Sequence, residues 1–187
     1  MSFPFDVPAR PTRERITFRT EETEDESFLC GLYATTRAHE MALTGWPREA
    51  QEAFLRQQFQ FQSIHYHRYY QNASFRIILL DGRPVGRIYL HYGSADILLI
   101  DIALLPEYRG LGIGGLMMHD LLAEAVQTNK RVLLHVEPNN PALHLYQRFG
   151  FQVVDEPNAG SQMTLLMEWR PQTNEVDRTS GEGEFAN

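Results

Sequence analysis

The chain has 187 residues, a net charge of −7 and a single cysteine, Cys30. That length suits one domain with a substantial core; an acidic balance without a basic patch argues against nucleic acid as a partner, and a lone cysteine excludes an internal disulfide and points to a reducing, cytoplasmic setting. No apolar run reaches membrane-spanning length, and the opening MSFPFDVPARP lacks a basic stretch followed by an apolar one, so neither a membrane span nor a secretory leader is expected.

Residues 1–14 carry three prolines and little pattern, and read as an irregular N-terminal arm. The alternation in 15–20 predicts a first strand. Glu24 or Asp25 then offers a helix start, and Phe28, Leu29, Leu32 and Tyr33 keep helical spacing to about Met41. Cys30 falls in that helix as a small hydrophobe. Thr44-Gly45 is a break, and Pro47 suits the first turn of a second helix running to about Tyr70. Its end, IHYHRYY, spaces His65 and His67 so that they do not share a helix face, and no metal pair is expected there or elsewhere.

Two apolar runs, 74–80 and 84–92, flank Asp81-Gly82 and predict a hairpin, with Arg83-Pro84 lengthening its loop and Gly86 marking a bulge. The next strand, 96–105, is apolar on both faces except at Asp101, as a central strand should be. A turn rich in glycine leads into a helix over 113–128, and a strand over 131–136 follows. Such a strand–helix–strand unit favours parallel pairing with a right-handed crossover. Asn140 is a good N-cap and Pro141 a good first residue for a short helix over 141–149, ended by Gly150. Closing strands are expected over 151–155 and 162–169, and a polar, disordered tail over 171–187.

The turn after the central strand holds Arg109, Gly110, Leu111, Gly112, Ile113, Gly114 and Gly115. A helix start offers unpaired N–H groups and partial positive charge, glycine lets a bulky anion approach the main chain, and arginine adds forked donors. This is a device for holding phosphate. A P-loop would need Gly-Lys-Ser/Thr, and Gly114-Gly115-Leu116 does not supply it. The dinucleotide spelling G-x-G-x-x-G is present as Gly110, Gly112 and Gly115, but it lies past mid-chain, with Pro106 to Arg109 between the strand and the glycines.

The pattern R-x-x-G-x-G, filled by Arg109, Gly112 and Gly114 after IALLPEYRG, resembles the acetyl-CoA-binding motif of the GNAT superfamily of N-acetyltransferases. A second stretch, NNPALHLYQRFGF at 139–151, is similar to that superfamily's N-x-x-A-x-x-L-Y-x-x-x-G-F, in the expected order and spacing. The close likeness covers 95–151, and a looser one extends over 15–170, which is taken as the domain. The resemblance implies an α/β fold of the α+β type, the acyl-CoA N-acyltransferase fold: a mixed, mostly antiparallel sheet of six to seven strands flanked by helices. It implies acetyl transfer from acetyl-CoA, the cosubstrate, to a primary amine by direct attack in a ternary complex. A CoA-binding sensor without catalysis is the rival reading. The acceptor is not readable, and a homodimer is left open.

The resemblance also distributes roles. The fourth and fifth strands splay, and main-chain groups of Ala103, Leu104 and Leu105 bond the pantothenate arm, one N–H also steadying the oxyanion. The N–H groups from Gly110 to Gly115, with Arg109, hold the pyrophosphate. Tyr146 protonates the leaving thiolate. Asn139 or Asn140 contacts CoA. His135, Asp101 and Glu137 compete as the base that deprotonates the amine, with a water chain as the alternative. The segment after the first strand, with Trp46 and the aromatics of 64–70, shapes the acceptor side.

Overall fold

The computed structural model describes residues 10–154 and 164–172. The strands are β1 (Ile16–Thr20), β2 (Ser74–Leu80), β3 (Arg83–Tyr92), β4 (Asp96–Leu104), β5 (Arg131–Val136), β6 (Gln152–Val153) and β7 (Leu165–Trp169), and the helices are α1 (Glu26–Thr36), α2 (Ala38–Thr44), α3 (Arg48–Tyr69), α4 (Ile113–Thr128) and α5 (Leu143–Arg148). The strands form one seven-stranded sheet in the order β1-β2-β3-β4-β5-β7-β6. All neighbours are antiparallel except β4 and β5, which run parallel around the α4 crossover. This is the mixed, mostly antiparallel sheet expected.

Two apolar clusters lie on opposite faces. One joins Ile78, Ile88, Leu90, Ile97, Leu99, Leu134 and Val136 to Ile113, Met117, Met118 and Leu121 of α4 and Tyr146 of α5. The other joins Ile77 to Leu29, Tyr33, Met41, Leu55 and Phe59 of α1, α2 and α3. Strand alternation sends Ile77 and Ile78 to different clusters, so the sheet is the shared wall.

Several predicted boundaries shift, each for a local reason. The first helix does not run through to Met41. It breaks at Arg37, where φ −105° and ψ 3° leave the helical region, and α2 begins beyond it. Thr35 and Thr36 precede the break, and their hydroxyls bond back to the carbonyls of Leu32 and Tyr33, a pattern that bends helices. The hairpin loop is not lengthened. Leu80 pairs with Arg83, and Asp81 and Gly82 adopt φ 50° and 77°, a two-residue turn of primed type. Pro84 is already in the strand opposite Leu79, and the bulge falls on Val85, beside Gly86 rather than on it. The short helix starts at Leu143, because Asn140 and Pro141 form a turn in which the Asn140 side-chain carbonyl accepts from the N–H of Ala142 at 2.9 Å. The arm contains a 3-10 turn at Arg13–Arg15 where it is described. Residues 155 and 162–163 of the predicted closing strands, and 173–187 of the predicted tail, lie outside the described residues.

Gly86 of β3 lies tight against the backbone of β4. A Cβ there would sit 2.3 Å from the carbonyl oxygen of Ala103 and 2.7 Å from Leu104 Cδ2. Because the nearer obstacle is backbone, it cannot rotate away. Gly86→Ala is therefore expected to destabilise the fold by about 2–3 kcal/mol, the scale of overpacking a tight site, as read from urea unfolding midpoints.

Candidate active site

The site begins where β4 and β5 part. Parallel pairing runs from Asp96–Arg131 to Leu99–Leu134 and stops. Directly beyond Leu99, β4 carries a bulge against β3. Leu90 faces Leu99 and Tyr89 faces Asp101, which leaves Ile100 as the extra residue. A bulge bends its strand and adds twist, and here it turns β4 away from β5. The residues past the parting line, Asp101 to Leu104 on one strand and His135 and Val136 on the other, border an opening.

Main-chain groups along that opening are not equivalent. The N–H of Leu105 bonds the carbonyl of Val85 at 2.9 Å, so it points to β3 and is not open to a ligand. Alternation along an antiparallel pair gives Ala103 the same direction and turns Leu104 toward the gap. The Leu104 carbonyl accepts from Arg109 Nε at 2.7 Å. Of the three expected contacts, the Leu104 N–H is the open donor.

The glycine turn closes one end of the opening. Gly110 and Gly112 sit at φ 72° and 92°, a region that favours glycine. An added Cβ at Gly110, Gly112 or Gly115 would meet nothing within 4 Å, so the space before the turn is free. The first intrahelical bond of α4 runs from Leu116 N–H to the Gly112 carbonyl at 3.1 Å, leaving the N–H groups of Ile113, Gly114 and Gly115 without helical partners. Free space before unpaired donors at a helix start fits a diphosphate. Arg109 is not directed there in this structure: besides Leu104, it bonds Thr35 Oγ1 of α1 at 2.8 Å. The turn follows the fourth strand of a mostly antiparallel sheet, not the first strand of a doubly wound one, which sets the dinucleotide spelling aside.

The candidate acid and bases fall on different sides. Tyr146 is 6% exposed, packs edge-on to Phe151 at 5.8 Å, and its hydroxyl has no hydrogen-bond partner among the described residues. Burial, assisted by the charge of Asp101, pushes its phenol up to about 12. His135 alternates with the buried Leu134 and Val136, and is exposed on the opposite face of β5. Glu137 reaches Arg37 at 3.4 Å, which ties the α1–α2 break to the end of β5. Asp101 is paired: Arg87 places Nε at 2.6 Å and Nη2 at 2.5 Å from the same oxygen, Oδ2. Arg87 is 3% exposed and also donates to Gln62 of α3 at 2.8 Å. Asn140 is committed to its turn through its side-chain carbonyl, whereas Asn139 is exposed.

Sequence reasoning missed Arg87, Gln62, Thr35 and Arg37. A charge inside the apolar run PVGRIYLHY was the one available signal for Arg87. Tyr66 and Tyr89 continue the polar layer. Their rings meet edge-on at 6.0 Å, the Arg87 guanidinium lies 5.0 Å from the Tyr89 centroid, and the Tyr89 hydroxyl donates to Glu21. His67 stacks on Phe75 at 4.3 Å, and Trp46 packs edge-on to Phe54 at 5.4 Å. A cavity of about 510 Å³ opens near Glu21, His67 and Phe75, and none of the predicted catalytic or cofactor residues lines it. Cys30 is half-buried and burial pushes its thiol up, which suits packing rather than nucleophilic chemistry. Among the described residues, no helix is long and apolar enough to cross a membrane.

A bulged fourth strand thus parts from a parallel fifth, with a glycine turn and a helix start at the mouth of the opening. The chain belongs to the acetyltransferase (GNAT) family, whose model matches residues 35–151. It is 32% identical over 77 residues to the [ribosomal protein bS18]-alanine N-acetyltransferase of Haemophilus influenzae, covering 37% of this chain and 53% of that one. The chain thus spans about half the length of that curated relative. Among solved structures it is similar to PaiA N-acetyltransferase from Thermoplasma acidophilum in complex with coenzyme A, with a TM-score of 0.59 at 20% identity, covering 83% of this chain and 99% of that one. A GNAT family acetyltransferase from Elizabethkingia anophelis with acetyl-CoA bound gives a TM-score of 0.53 at 14% identity, covering 85% and 100%. At these identities the two structures establish the fold.

The buried phenol of Tyr146 sets a pH signature. Its proton is held more tightly in the folded chain than in the unfolded one, where the pKa is near 10. The stabilisation is complete below about pH 10 and lost as pH rises through about 12. Tyr146→Phe should therefore lose about 2–3 kcal/mol less than the parent between those limits, as measured by urea unfolding at each pH.

Proposed function

We propose that this protein transfers the acetyl group of acetyl-CoA to a primary amine, by direct attack within a ternary complex. The observation that carries the reading is the parted pair β4 and β5 with unpaired N–H groups at its mouth. The N–H groups of Ile113, Gly114 and Gly115 would hold the diphosphate, and the N–H of Leu104 would face the amide-rich arm and the thioester carbonyl. Gly110 and Gly112 keep side chains out of that path. Arg109 would reach the diphosphate by exchanging its bond to Thr35.

The amine nitrogen attacks the thioester carbon, a C–N bond forms and the C–S bond breaks. The amine proton passes to His135, directly or through water, and Tyr146 gives its proton to the departing thiolate, so acetylated amine and free CoA thiol result. Tyr146 carries its proton at neutral pH, as a general acid requires. Asp101 and Glu137 are engaged by Arg87 and Arg37, which leaves His135 as the candidate base without a side-chain partner among the described residues. The relative from Haemophilus influenzae supports the α-amine of a peptide chain as the acceptor class.

The test is release of CoA thiol from acetyl-CoA over a panel of peptide and small-molecule amines. Turnover with an amine is expected; tight CoA binding without turnover on any acceptor would make the protein a sensor. Tyr146→Phe should lower kcat by about 10²–10⁴-fold, the usual contribution of a positioned acid, with acetyl-CoA affinity retained. Gly112→Val should cost about 1–2 kcal/mol in stability for its left-handed backbone and weaken CoA binding about tenfold or more, or about 1.4 kcal/mol, by calorimetry.

A further inference from the structure

Asp101 presents an asymmetry that the ion pair alone does not explain. Arg87 donates to Oδ2 through Nε at 2.6 Å, and its Nη2 lies 2.5 Å from the same oxygen as an ion-pair contact. Oδ1 has no partner among the described residues, and the side chain retains 23% exposure. The carboxylate stands two residues beyond the last paired position of β4 and β5, on the face that Gln62 and Tyr66 of α3 cover. His135, the first residue of β5 past its pairing with β4, is turned to that same face, away from the cluster around α4. Tyr146 belongs to the α4 cluster on the other side. The parting line therefore lies between a phenol on one face and a half-gripped carboxylate on the other.

An isolated carboxylate at this place would oppose the reaction. It would hold an incoming ammonium ion as an ion pair and favour its protonated form, which cannot attack. Arg87 changes that. A buried guanidinium on Oδ2 offsets most of the charge, while Oδ1 keeps its lone pairs and a fixed direction. What remains is an oriented hydrogen-bond acceptor of small net charge.

Resting on the transferase reading above, we propose that Asp101 accepts a hydrogen bond through Oδ1 from the N–H of the acceptor amine and aims the nitrogen lone pair at the thioester carbonyl. Arg87, steadied by Gln62, is a positioning residue that acts through Asp101. No proton is taken by Asp101; the proton lost from the nitrogen goes to His135 or water, and the second N–H remains on Oδ1 as the C–N bond forms. The arrangement selects nitrogen acceptors that keep a hydrogen after losing one, namely primary amines. It disfavours secondary amines, which have a single N–H in the neutral form.

The experiment compares the parent with Asp101→Asn, Arg87→Lys and Arg87→Met, using acetyl-CoA and a pentapeptide that begins with alanine, alongside its N-methylated counterpart. Asp101→Asn turns the free atom into an N–H donor once the amide oxygen faces Arg87. It is expected to weaken binding of the pentapeptide to the CoA complex tenfold or more by calorimetry, to lower kcat/KM for the pentapeptide about a hundredfold, and to erase the preference for primary over N-methyl amine. KM for acetyl-CoA should stay within twofold. Arg87→Lys should retain most of the preference, and Arg87→Met should lose it. Calorimetry on Asp101→Asn keeps the test independent of whether Arg87→Met folds. Unchanged pentapeptide binding and an unchanged preference in Asp101→Asn would overturn the proposal while leaving acetyl transfer standing. A parent chain that binds no CoA would instead overturn the transferase reading on which it rests.

Discussion

Two parallel strands that separate leave main-chain amides and carbonyls facing each other with nothing to bond, and such groups must be satisfied or kept wet. Here pairing stops after Leu99–Leu134, and the extra residue Ile100 gives the divergence a covalent cause. The rest of the site answers that opening. The glycine turn sits at its mouth, Tyr146 and His135 border it from opposite faces, and Arg109 caps the Leu104 carbonyl on its rim. A straight β4 would pair onward with β5 and erase the cleft.

The second constraint is electrostatic. Burying Arg87 is tolerable only because Asp101 and Gln62 receive its N–H groups, and removing either end of such a pair costs about 3–5 kcal/mol. Replacing the pair by well-packed apolar side chains would often be neutral, so stability alone gives no reason to keep it. The pair also links α3 to the strand that bears the bulge. Helix α3 and the bend in β4 are thereby held to one another through the same guanidinium.

Much of this was legible in the residues. The helix over 113–128 and the strand over 131–136 were read to the residue, because the glycine turn, the apolar stripe and Asn129-Lys130 mark their ends unambiguously. Asp81-Gly82 marked the hairpin, though Arg83-Pro84 suggested a longer loop than the two-residue turn that formed; the bulge at Val85 absorbs the proline instead. The break at Arg37 was not legible, since helical spacing continues across it and the cause is local hydroxyl bonding. Asp101 stood out as the one charge inside an apolar central strand, but Arg87 was not identified as its partner. Without the bulge at Ile100 the register would set Asp101 opposite Ile88. Only the shifted register brings it opposite Tyr89, diagonal to Arg87 and on the same face.

The two apolar clusters do not merge; the sheet stands between them, with Ile77 turned to one side and Ile78 to the other. Everything that would grip the cosubstrate grows from the α4 side, and everything that would meet the second reactant grows from the side of α1, α2 and α3. The two apolar clusters share no residue, and polar links between the sides run through Arg109 to Thr35 and Glu137 to Arg37. Under the proposed transferase reading, a lineage built on this plan could change its acceptor while its donor chemistry stayed as it was, and an engineer redirecting it would look for adjustable positions between residues 26 and 69.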